Sequence, residues 1–166
     1  MVQLWVADTC ALSEVRRIPR VGKAGEFAVF KELTKRVVTG QIIYPVEVIT
    51  ELKQTQGSTP FYPYEWADGH RTVATPKTSL FDDVKQLLKD PQIKLVLDPS
   101  KTGPPEEADP YVLALALRRK QKGEEVVVLS QERRDRPRKL SVNTACGLLR
   151  LYCLPMEAFL VQEGII

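Results

Sequence analysis

Histidine and cysteine are scarce in this sequence. Of its 166 residues one is a histidine, His70, and three are cysteines, Cys10, Cys146 and Cys153. An odd cysteine count without a Cys-x-x-Cys pair, beside a single histidine, excludes the usual zinc sites. It also argues against a disulfide framework, so the cysteines are expected as small buried hydrophobes in a reducing compartment. Long apolar runs are missing as well. None approaches the roughly 20 residues of a membrane helix, and Val2 to Ala7 is too short for a signal peptide and ends in Asp8. A cytoplasmic protein without a membrane partner is the expectation. Excess charge is also lacking. The formal net charge of +3 permits a nucleic-acid partner without demanding one.

What is present is ordinary globular material, 43% hydrophobic and 27% charged, expected as one domain over residues 1–166. Strands are predicted at Val2–Ala7, Gln41–Tyr44, Ile93–Leu97, Val126–Leu129 and Leu151–Leu154. Helices are predicted at Ala11–Arg17, Gly25–Val38, Pro45–Gln54, Thr78–Lys89, Glu106–Lys120, Thr144–Leu149 and Pro155–Glu163. In the second of these the buried stripe is read as Phe27, Phe30, Leu33 and Val37. A turn is read at Gly103–Pro105 and a long loop at Thr55–Pro76, functional or poorly ordered. Its aromatics Phe61, Tyr62, Tyr64 and Trp66 are read as packing, and His70 as solvated. Strand–helix alternation implies an α/β fold with a mostly parallel sheet.

Open parallel sheets bind ligands beyond the carboxyl ends of their strands. Asp8 ends the first strand there. Glu51 lies on the helix after the second, with Glu47 one turn earlier. Asp109 opens the helix before the third β-rich run, and Glu132 follows that run after Ser130. Four carboxylates meeting at one edge would repel unless a cation intervened, and a hard divalent ion such as Mg²⁺ or Mn²⁺ prefers such oxygens. That chemistry suits phosphoryl transfer and phosphodiester hydrolysis. Bland alternatives remain. Asp109 before Pro110 also fits a helix N-cap, Glu51 fits a solvated helix face, and Glu132 fits pairing with nearby arginines.

The stretches Val6-Ala7-Asp8-Thr9, Pro45 to Lys53, Ala108-Asp109-Pro110-Tyr111 and Val126 to Glu132 occur in an order that resembles the four motifs of PIN-domain nucleases. The likeness covers nearly the whole chain, and it is nearest to VapC-like and other small standalone bacterial and archaeal proteins. It implies a three-layer α/β/α sandwich and a Mg²⁺- or Mn²⁺-dependent ribonuclease, the toxin of a toxin–antitoxin pair. On this resemblance Asp8, Glu51 and Asp109 hold the metal, Glu132 is a fourth catalytic acid, and Thr9 and Ser130 orient ligands. RNA is the substrate, with a cognate antitoxin and a homodimer as further partners. Two positions depart from the pattern: Cys10 stands where many relatives carry Asn, and Glu132 where they carry Asp. A degenerate PIN-like module that binds RNA or protein is therefore the alternative. A haloacid-dehalogenase-like phosphatase ranks lower, since Cys10 replaces its second Asp.

Basic residues cluster at Arg16, Arg17 and Arg20, at Arg118, Arg119, Lys120 and Lys122, and at Arg133, Arg134, Arg136, Arg138 and Lys139. The last group follows Glu132 and is expected to grip RNA phosphates beside the cut.

Overall fold

The computed structural model describes residues 3–56, 59–103 and 106–166. The strands are β1 (Leu4–Ala7), β2 (Ile42–Ile43), β3 (Val126–Leu129) and β4 (Tyr152–Leu154). The helices are α1 (Thr9–Ser13), α2 (Gly22–Val38), α3 (Val46–Gln56), α4 (Tyr62–Gly69), α5 (Arg71–Ala74), α6 (Phe81–Leu87), α7 (Ala108–Gln121), α8 (Val142–Leu148) and α9 (Met156–Gln162). The strands form one parallel sheet in the order β2-β1-β3-β4. Every residue of β1 and β3 is buried, as parallel strands covered on both faces must be.

Right-handed crossovers decide which face each helix covers. The step from β1 to β2 and the step back across β1 to β3 run in opposite directions, so their helices cover opposite faces. α7 packs on β3 and β1, whereas α2 packs on β2. Trp5 of β1 meets Phe159 of α9 edge-on at 4.7 Å, and Arg36 of α2 pairs with Glu163 just past α9 at 2.9 Å. α2 and α9 thus share one face, and the fold is the expected α/β/α sandwich. The buried apolar side chains form one continuous core. No described helix is long and apolar enough to cross a membrane.

Several expectations need correction. Ile93–Leu97 is no strand: a 3-10 turn runs from Ile93 to Val96. Asp90 before Pro91 leads into it through a local turn, its carboxylate accepting the Gln92 amide at 2.8 Å, and this turn chemistry outweighs the apolar content. The loop predicted at Thr55–Pro76 contains α4 and α5, started by Pro63 in the first turn of α4. Trp66 anchors them, packing 4.9 Å from Phe30 and donating to Thr34 Oγ1 at 2.8 Å. The aromatics therefore serve packing, as expected. His70 is not solvated but half-buried, its ring tilted against Trp66 at 5.0 Å, with Nδ1 2.7 Å from the Trp66 carbonyl. In α2, Phe30, Leu33 and Val37 are buried while Phe27 is 65% exposed, and Val29 takes its place in the core. Asp109 is not an N-cap: α7 begins at Ala108 after Glu107. The predicted start of the first strand at Val2, part of the Thr55–Pro76 loop and the turn at Pro104–Pro105 lie outside the described residues.

Candidate active site

β1 and β3 end side by side. Val6 pairs with Val128 and Ala7 with Leu129, so Asp8 and Ser130 follow at the same edge. The Asp8 amide still donates to the Leu129 carbonyl at 3.0 Å, and the Ser130 amide to the Leu154 carbonyl at 3.0 Å. Beyond this point the two chains depart to opposite faces, which opens a crevice of the kind where α/β sheets bind ligands. A cavity of about 550 Å³ lies there, lined by Thr9, Cys10, Glu51, Glu107, Asp109 and Glu132 with Lys101, Arg136 and Lys139 among others.

Asp8 is the deepest acid, 1% exposed. It caps α1 by accepting the Ala11 amide at 2.7 Å. The Cys10 thiol donates to both of its oxygens, at 3.1 and 3.2 Å, and Cys10 rather than Asp8 faces the cavity. Burial, with the charge of Asp109 in support and Ser130 pulling the other way, pushes the Asp8 carboxyl up to about 7. Asp109, in the first turn of α7, is raised to about 6 by burial, against Lys139, with Glu132 and Glu51 adding repulsion. Burial and the Asp8 charge push the Cys10 thiol upward, so it stays protonated.

Glu51 ties the two acid-bearing segments together. Its Oε2 accepts the Thr9 hydroxyl at 2.6 Å, and its Oε1 accepts the Ala108 amide at 3.0 Å. Thr9 thus fixes one oxygen of Glu51. Ser130 is fully buried, and its Oγ accepts the Glu132 amide at 3.1 Å. Glu132 sits where α8 begins, its Oε2 accepting the Val142 amide at 3.3 Å. Glu47, half-buried and raised by burial, does not line the cavity.

The donor set is entirely oxygen, which suits Mg²⁺ or Mn²⁺ better than softer ions. Asp8 is buried with only neutral donors around it, whereas the half-buried Asp109 is paired with the Lys139 ammonium at 2.9 Å. The oxygen donors and Asp8 fit a hard cation. Among the described residues no three acidic, histidine or cysteine side chains stand together as a ligand set, however.

A family described as a domain of unknown function, DUF4411, matches residues 6–165. The chain belongs to that family. No curated protein and no solved structure matches it significantly.

In this DUF4411 protein the basic clusters divide. Arg118 is spent on Asp83 and Thr78, and Arg119 on Glu124 at 2.7 Å, so these two arginines of the second cluster are structural. Arg133, Arg134, Arg136 and Arg138 are all exposed. Arg136 also reaches Asp98 at 3.5 Å and Glu132 at 3.8 Å, on the cavity rim. Lys139 leaves the cluster altogether. It is 7% exposed, and its ammonium donates to Asp109 at 2.9 Å and to both Glu132 oxygens at 2.8 and 3.0 Å. Burial pulls this ammonium down, but Asp109 and Glu132 outweigh burial and hold it above its usual range.

Sequence reasoning missed Lys139 and Glu107 as members of the site. The signal for Lys139 is Pro137 followed by Arg138, a two-residue turn closed by Arg136 N to Lys139 O at 2.9 Å and Lys139 N to Arg136 O at 3.0 Å. Arg138 takes a φ of 64°, a conformation that favours glycine. Arg138→Gly is therefore expected to raise thermal stability by about 0.5–1 kcal/mol. Denaturant melts check this, and a loss of stability would show that the Arg138 side chain itself holds the turn. Glu107, raised by burial, accepts the Asp98 amide at 3.0 Å and ties the loop after the 3-10 turn to α7.

Proposed function

We propose that this protein is a Mg²⁺- or Mn²⁺-dependent ribonuclease of the PIN type. The observation that supports the reading is the meeting of Asp8 and Asp109, 101 positions apart in the chain, at the crevice between β1 and β3, where Asp8 is buried, Asp109 is half-buried and Asp109 raises Asp8. A divalent ion bound there would neutralise charge developing on a phosphate and make water a better nucleophile. Asp8 and Asp109 are the residues to hold it. Glu51 keeps α1 and the start of α7 at a fixed separation through Thr9 and Ala108. Ser130, just past β3, favours the ionised form of Asp8. Arg136 lines the cavity, and Arg133, Arg134 and Arg138 in the same loop offer exposed guanidinium groups to the phosphates on either side of the scissile bond.

The deciding experiment is cleavage of single-stranded RNA with Mn²⁺ by the native chain and by Asp8→Asn. Equal cleavage by both would overturn the proposal. Replacing Arg133, Arg134 and Arg138 together with alanine is expected to lower RNA affinity. The slope of log affinity against log salt should become shallower by about 2, at roughly 0.7 for each phosphate that an arginine no longer neutralises. An unchanged slope would place the RNA elsewhere.

The finer proposal is a toxin held by a cognate antitoxin in the cytoplasm, as a monomer or homodimer. Growth arrest on expression, relieved by co-expressing the neighbouring gene's product, is its expected sign. The neutralisation of Glu132 by Lys139 favours a second reading, a module that binds RNA without cutting it. Tight RNA binding without metal-dependent cleavage would select it.

A further inference from the structure

A second cavity, of about 600 Å³, opens beside the acidic one, and the two meet at Lys101 and Glu107, which line both. Its walls differ in kind. Phe81, Val84, Leu88, Leu97, Pro110 and Tyr111 make them chiefly apolar, whereas charged side chains dominate the first cavity. We propose that this second cavity is a base-recognition subsite, which takes a guanine of the single-stranded RNA whose phosphate lies in the acidic cavity. The inference rests on the ribonuclease reading and adds a base preference to it.

Local chemistry builds and fixes the cavity. α6 packs on α7, and Val84 of α6 and Tyr111 of α7 are both buried. The loop after the 3-10 turn closes one side. There the Asp98 amide donates to both Glu107 oxygens, at 3.1 and 3.0 Å, and Asp98 Oδ1 accepts the Ser100 amide at 2.9 Å. Phe81, at the start of α6, lines the cavity and is 54% exposed. Much of its ring thus stays open to solvent, and such a ring is a stacking surface for an unpaired base.

A cavity of this volume suits a small planar group rather than a helix or strand, and an apolar lining with few polar groups is the usual build of such a site. Continuity with the acidic cavity says which group. A strand with its phosphate among the acids places a neighbouring base within reach. Lys101 stands between the two cavities, exposed and only loosely paired, 3.9 Å from Glu107. Its ammonium is available to the phosphate that joins the two nucleotides.

The polar groups choose the base. Besides Lys85, Lys101 and the Tyr111 hydroxyl, the polar side chains lining the cavity are the carboxylates Asp98, Glu106 and Glu107, which only accept. Glu107 is committed to the Asp98 amide, and Asp98 to Ser100, with Arg136 at 3.5 Å. Glu106 has capacity left: its Oε2 accepts the Tyr111 hydroxyl, and its Oε1 has no donor among the described residues. Guanine offers a carboxylate two adjacent donors, at N1 and N2. Adenine and cytosine set an acceptor beside their donor on that edge, and uracil sets its donor between acceptors, all of which a carboxylate repels.

The test is fluorescence anisotropy of labelled oligouridine strands carrying one central guanosine, adenosine or inosine. Binding to the native chain is measured in EDTA and again in Ca²⁺. The guanosine strand is expected to bind about 10-fold more tightly than the adenosine strand, with inosine, which lacks the N2 amino group, in between. Glu106→Gln keeps an acceptor for Tyr111 and changes an exposed residue, so it should fold; its guanosine preference is expected to fall to about 3-fold or less. Phe81→Ala is expected to weaken the guanosine and adenosine strands alike, by about 10-fold. Equal affinity for guanosine and adenosine on the native chain would overturn the inference and leave the ribonuclease reading standing. That is also the result expected if the cavity receives an apolar side chain of a protein partner. A guanosine preference undiminished in Glu106→Gln, or unchanged affinities in Phe81→Ala, would overturn it as well. Binding of no strand under either condition would overturn the ribonuclease reading and this inference with it.

Discussion

Asp8→Asn is expected to lose metal-dependent RNA cleavage by roughly 10³-fold or more, while making the ion-free protein more stable. The two effects have one cause. In the folded chain the Asp8 carboxyl is raised from 3.8 to about 7 by burial and by Asp109. Above pH 7 it is ionised in a site that resists its charge, and the displacement corresponds to up to about 4 kcal/mol of lost stability. Asparagine has nearly the same shape, carries no charge and serves as an N-cap about as well as aspartate, so the bond from the Ala11 amide is kept. Asp8→Ala lacks that bond and should gain less, by about 1 kcal/mol. Denaturant melts at pH 8 without divalent ions, run beside the cleavage assay, read both signs. An Asp8→Asn protein that is less stable and equally active would assign this residue to structure alone.

Divalent ions should reverse the pH dependence of stability. Asp8 and Asp109 are both raised in the folded state, to about 7 and about 6. A group raised on folding stabilises fully below its unfolded value, near 4 for aspartate, and that contribution is lost as pH rises through the folded value. The ion-free protein should therefore be more stable at pH 5 than at pH 8, with most of the decline between about pH 4 and 7. A bound divalent ion favours both ionised carboxylates and must displace their protons at low pH. Millimolar Mg²⁺ or Mn²⁺ is thus expected to raise the melting temperature by several degrees at pH 8 and hardly at pH 5. Proton release on binding, measured by titrating in buffers of different ionisation enthalpy, should fall as pH rises from 6 to 8. Equal stabilisation at both pH values would mean that the ion binds away from these two aspartates.

Local chemistry explains what reads directly from the chain. β1 and β3 are uninterrupted apolar runs, and α7 follows from a long stretch of good helix formers ending in basic residues. The placement of Asp8 after β1 and of Ser130 after β3 needed only strand boundaries and the parallel alternation. Where two signals competed, the stronger local geometry prevailed. Asp90 with Pro91 turned an apolar segment into a 3-10 turn, and Pro63 with Trp66 organised what composition marks as loop. Phe27 lies at helical spacing from Phe30, yet it is left outside the core and Val29 is buried instead. Periodicity sets the stripe but not its edges.

The sequence by itself determined the fold class, the parallel strands and the acids gathered at one sheet edge, because these follow from hydrophobic period and from the right-handedness of crossovers. Only the tertiary structure decided how the charges are shared. Lys139 left its arginine neighbours to join Asp109 and Glu132, Glu51 became a tie between two helices, and Cys10 came to cover Asp8. Such pairings depend on distances of a few ångströms between residues dozens of positions apart, and electrostatic energy at that range is set by burial and approach, which no local pattern encodes.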